Sequence, residues 1–100
     1  MTEITMKETP YDYVIIAKGH ATGNQDVCAA ISMMLTSVAN WVVANGSEEE
    51  QKLEEGDAVV VIPKKLSGAK TIFSLCDMSF SQLEKNYGDF AKKVQILGKN

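Results

Sequence analysis

The sequence predicts an α+β domain of order β-β-α-β-β-α-β, an antiparallel or mixed sheet packed against two helices. Three observations carry this reading. The stretches Val27 to Asn45 and Ala69 to about Tyr87 contain neither Gly nor Pro and repeat apolar residues at helical spacing. Short β-branched runs, Tyr13 to Lys18 and Ala58 to Pro63 foremost, have the length of strands. Turn-forming residues separate these segments, and no repeat or low-complexity tract divides them, so residues 1–100 are expected to form one domain.

Taken in order, Ile4 to Lys7 is a short strand candidate, and Glu8-Thr9-Pro10-Tyr11 is the turn after it. Tyr13 to Lys18 carries Val14, Ile15, Ile16 and Ala17 on both faces, the pattern of a central strand covered by helix on at least one side. Gly19 to Gln25 is a polar connection, and Asp26 is the expected helix N-cap. Ile31, Met34, Leu35, Val38, Trp41 and Val42 form the first helical stripe, and Asn45-Gly46 is a left-handed stop. This helix is apolar on nearly every face and is expected to be buried on more than one side, which predicts a homodimer. Glu48 to Glu54, Glu55-Gly56-Asp57 and Ala58 to Pro63 read as a hairpin with a charged edge strand. Ile72, Cys76, Phe80, Leu83 and Tyr87 form the second stripe, Gly88 ends it, and Lys93 to Leu97 is the last strand.

Composition removes several classes of function. At 45% hydrophobic and 23% charged residues the chain is too apolar for a disordered tail. The net charge is -3 and all ten basic residues are Lys, so the Arg-bearing basic stripe of a nucleic-acid binder is missing and no nucleic-acid partner is expected. No apolar run approaches the roughly 18 to 20 residues of a membrane span, and Met1-Thr2-Glu3-Ile4-Thr5 has no signal character, so a cytoplasmic protein without a membrane partner is expected. Cys28 and Cys76 are expected to be reduced thiols. A zinc site would need both of them, His20 and a carboxylate to converge without any CxxC pair; no metal or organic cofactor is implied.

One constellation carries chemistry. The only His, His20, stands at the end of a strand, and Cys28 stands in the first turn of the long helix. A thiol near a helix N-terminus meets the positive end of the dipole and unpaired backbone N–H groups, and a nearby imidazole can take its proton. The same N–H groups can stabilise an oxyanion on a carbonyl that Cys28 attacks. The plainer alternative is a small buried Cys followed by Ala29, Ala30 and Ile31, with a solvated His.

Gly19-His20-Ala21, then Gly23, then Asp26-Val27-Cys28-Ala29-Ala30-Ile31-Ser32 resembles the signature of the bacterial ribosomal-processing cysteine proteases, the Prp family. Members are homodimers that remove a short N-terminal extension from a large-subunit ribosomal protein; some are associated with processing of phage structural proteins. The resemblance implies that Cys28 is the nucleophile and His20 the general base, with Ser32, one turn below Cys28, and Asp26 as supporting residues. Two departures are visible. Asp26 lies one residue closer to the Cys than the family's Asp, which favours a capping role, and the His-to-Cys connection is several residues shorter than usual.

The leading expectation is therefore a cysteine endopeptidase acting on a ribosomal protein's N-terminal extension. The alternatives are a phage-associated protease for capsid or scaffold proteins and a non-cleaving binding subunit of the same fold. A thiol redox protein would need a resolving Cys near Cys28. The acidic Glu48 to Asp57 segment favours a basic or apolar protein substrate over an acidic one.

Overall fold

The structure, a computed structural model, describes residues 1–21 and 23–96. Its elements are β1 (Thr2–Glu8), β2 (Asp12–Lys18), α1 (Gln25–Ala44), β3 (Lys52–Glu54), β4 (Asp57–Pro63), α2 (Ala69–Asn86) and β5 (Ala91–Ile96). This is the expected order; Leu97, expected in the last strand, lies outside the described residues. The sheet runs β3-β4-β2-β1-β5, so Tyr13 to Lys18 is indeed the central strand. Every pairing is antiparallel except β1 with β5, which makes the sheet mixed.

Register explains the core. Ile4 pairs with Ala17, Met6 with Ile15, Ile15 with Val60 and Ala17 with Ala58, so one parity of β1, β2 and β4 points to a common side. There it meets Val27, Ile31, Leu35, Val38 and Val42 of α1 and Ala69, Phe73, Cys76 and Phe80 of α2, all buried. Each fully buried Ile, Leu or Phe in this layer contributes about 1.5–3 kcal/mol by leaving water. The opposite parity, the row Val59, Ile16, Thr5 and Val94, stays half-buried on the face without helices.

Three expectations need correction. The N-cap of α1 is Asn24, not Asp26: Asn24 has extended backbone and its Oδ1 accepts the Val27 N–H at 3.1 Å, while Asp26 already lies in the first turn. The charged edge strand is three residues long, because only Lys52–Glu54 pairs with β4; Glu48 to Glu50 are outside it. Within the chain α1 is buried along one stripe, as expected of a chain with two helices, and Ala29, Ala30, Met33 and Val43 are left exposed. Finally, α1 is long and apolar enough by length and composition to cross a membrane, at 20 residues with mean hydropathy 1.8 in its most apolar window. Val27, Ile31, Leu35, Val38, Val42 and Val43 raise that mean although Ser32, Thr36, Ser37 and Asn40 interrupt the run. The helix nevertheless supplies five side chains to the core described above, the packing of a core helix.

Candidate active site

β2 and α1 meet at one end of the sheet, and the chain between them brings His20 and Cys28 to a common opening. Gly19 leaves β2 with φ +90 and donates its N–H to the Gly56 carbonyl at 2.9 Å, tying the strand end to the β3–β4 turn. A side chain at Gly19 would collide with the Met1 carbonyl, only 2.5 Å from where its Cβ would stand. Thr2 closes the same corner: its Oγ1 donates to the Gly19 carbonyl at 3.3 Å. Ala21 is buried, and its carbonyl accepts the Asn24 N–H at 2.9 Å, so the connection turns straight into the α1 cap.

The result is a cavity of about 470 Å³ between the start of α1 and the β3–β4 hairpin. His20 and Cys28 both line it. Its apolar wall is Ile31, Leu35, Leu53 and Ala58, and its rim carries Glu54, Glu55 and Asp57. Its volume is within the range of ligand-binding clefts. Cys28 is half-buried, and its thiol donates to the Ala21 carbonyl at 3.9 Å. The His20 imidazole is exposed and rests on Gly56; among the described residues no hydrogen bond joins it to the thiol.

The other anticipated residues separate. Ser32 lines the cavity one turn beyond Cys28. Asp26 is exposed and does not border it. Glu48 and Glu49 belong elsewhere: with Tyr11, Lys64 and Lys65 they border a second cavity at the opposite end of β2. Acidic groups near Cys28 are instead Glu54, Glu55 and Asp57, and Asp57 is already neutralised. Lys18 and Lys52 both pair with it and hold its carboxyl below the usual range, Lys18 having the larger effect. Glu54 is shared with Lys52 at 3.4 Å. Cys76 is buried under α2, where burial pushes its thiol from 9.0 up to about 11. Among the described residues no group of three or more His, Cys, Asp or Glu is placed to hold a metal.

Sequence reasoning did not single out Thr2, Leu53 or Gly56 as site residues. Thr2 reaches the site only through the β1–β2 register, in which Glu3 faces Lys18, and no local pattern announces that. Gly56 carried a signal as a turn glycine, but its neighbour His20 is 36 positions away.

No family model matches the chain, and no curated protein matches its sequence. Solved structures do match. The essential ribosomal processing protease Prp from S. aureus, determined in complex with a covalently linked product peptide, superposes with a TM-score of 0.73. It is 19% identical, and the match covers 95% of this chain and 99% of that one. The protein SMU.848 from Streptococcus mutans matches with a TM-score of 0.69 and 19% identity over 99% of both chains. The chain thus shares the Prp fold over nearly its whole length.

Proposed function

We propose that this protein is a cysteine endopeptidase in which Cys28 is the nucleophile and His20 the general base. The observation that carries the reading is the opening of both side chains onto one cavity at the start of α1, in a fold shared with a peptide-bound protease. In the reaction the thiol proton passes to the imidazole, and the sulfur attacks a peptide carbonyl to form a tetrahedral oxyanion. The imidazolium then protonates the leaving amine, and water, deprotonated by the same imidazole, releases the acyl group. The Val27 N–H is occupied by the Asn24 cap. The Cys28 N–H makes only a long bond of 3.4 Å to the Asn24 carbonyl and, as the nucleophile's own amide, is the donor assigned to the oxyanion in this reading.

The substrate of this reading is an extended, basic or apolar protein segment, the N-terminal extension of a ribosomal protein in the first instance. Leu53, Ile31 and Leu35 suit an apolar side chain, and Glu54 with Glu55 suits a neighbouring Lys or Arg. The exposed face of α1, with Met33 and Val43, is the proposed contact in a homodimer.

The test is cleavage of a panel of peptides covering ribosomal and phage structural protein N-termini, followed by mass spectrometry. Cys28→Ala is expected to abolish cleavage, and His20→Ala to lower kcat by about 10²–10⁴-fold. Binding of a peptide without cleavage by the parent protein would replace the protease with the binding-subunit reading. Glu54→Gln with Glu55→Gln should raise KM for a basic peptide mainly at low salt. Sedimentation at micromolar concentration checks the dimer against a monomer of 10.9 kDa.

A further inference from the structure

We infer that Gly56, in the β3–β4 turn, is a positioning residue for His20; its consequence for catalysis rests on the dyad reading above. His20 is exposed, and its ring, without a hydrogen bond among the described residues, lies against the β3–β4 turn. The surface it packs on is Gly56. A Cβ there would overlap Nε2 and would stand 2.7 Å from Cε1 and 3.2 Å from Cδ2. Only a hydrogen at this position leaves the ring its present seat. The seat is also tied to the base's own backbone, because the residue before His20 donates its N–H to the Gly56 carbonyl at 2.9 Å. The hairpin turn and the backbone entering His20 are therefore joined, and a side chain at the turn has to push the ring off it.

Gly56 also has φ +73, a region that disfavours any other residue, so strain and ring contact must be separated. Gly46 provides the control: its φ is +87, and a Cβ there meets nothing within 4 Å. Gly46→Ala thus reads backbone strain alone, and Gly56→Ala reads strain plus displacement of the ring.

The experiment compares Gly56→Ala, His20→Ala, the double variant and Gly46→Ala by denaturant unfolding and by the His20 Cε1–H resonance. Unfolding costs at Gly56 and His20 should be non-additive: once the imidazole is gone the methyl has room, and Gly56→Ala should then cost no more than Gly46→Ala. The His20 resonance should shift in Gly56→Ala and stay in place in Gly46→Ala. If Gly56→Ala does not fold, recovery of folding in the double variant supports the seat and failure to recover overturns it. Additive costs, or a His20 resonance unmoved by Gly56→Ala, also overturn it. Where cleavage is measurable, Gly56→Ala should lower kcat by about 10²-fold with little change in KM, the cost of a reacting group misplaced by about 1 Å. Loss of the dyad reading would appear separately, as full cleavage activity in His20→Ala.

Discussion

Each helix carries one cysteine, and the two thiols face opposite conditions. Cys28 is in the first turn of α1, half-buried and bordering the cavity; Cys76 is midway along α2, with 1% of its surface exposed. The helices differ to match. α1 is capped by a side chain and apolar around most of its circumference, whereas α2 starts at Gly68 without a side-chain cap and keeps an ordinary amphipathic face. What distinguishes the surroundings of the two thiols is depth along the helix: the first turn offers helix-terminal N–H groups and an opening, and the middle offers only neighbours.

The most direct way to break the comparison is to label both thiols in the folded protein. Iodoacetamide near neutral pH should modify Cys28 and leave Cys76 untouched until the chain is unfolded, as read by peptide mapping. Modification of Cys76 at a comparable rate would remove the distinction, because it requires an opening that the buried α2 stripe lacks.

Alkaline stability sharpens the same contrast. The Cys76 thiol ionises near 9.0 when solvated and at about 11 in the folded protein, so folding holds it protonated. Below 9.0 both states keep the proton and nothing is lost; between 9.0 and about 11 the unfolded chain ionises first, and stability falls as pH rises. Unfolding free energy measured across that window should therefore decline in the parent protein and decline less in Cys76→Ala. An equal decline in both would mean that other groups dominate the alkaline limb.

The sequence made the elements legible, and with them the placing of His20 and Cys28 at the same end of the sheet, because their signals are local. Asn45-Gly46 stops α1 where a left-handed glycine was expected, with φ +87 at Gly46, and the β2 run reads as central because both its parities are apolar. What remained illegible depends on partners distant in the chain. The parallel pairing of β1 with β5 joins the two ends of the chain, and no residue of either strand encodes a direction. The length of β3 is decided where the Gln51 side chain takes over, its amide bonding both the Val61 N–H and the Val61 carbonyl that a longer strand would pair with, and not by the run of glutamates before it. Among the site residues, Ser32 was reached only through the family resemblance, whereas the seat of His20 on Gly56 exists only once the hairpin folds back over the end of β2.

The smallest effect concerns the cap that fixes the first turn of α1. Asn24 and Asp26 are both residue types that cap helices, and they stand two apart, so composition does not choose between them. Backbone geometry does: Asn24 has φ -141 and ψ 93 and accepts the Val27 N–H, whereas Asp26 is inside the helix and acts only as a charge near its positive end. Asn24→Ala should cost about 1 kcal/mol of stability, in the range for loss of a side-chain cap. Asp26→Asn should cost about 0.3–1 kcal/mol, and less as salt is raised, because its only contribution is a screened interaction with the dipole. Denaturant unfolding at low and high salt measures both. A loss at Asp26 that exceeds that at Asn24 and persists in high salt would return the cap to Asp26 and shift the start of the helix that carries Cys28.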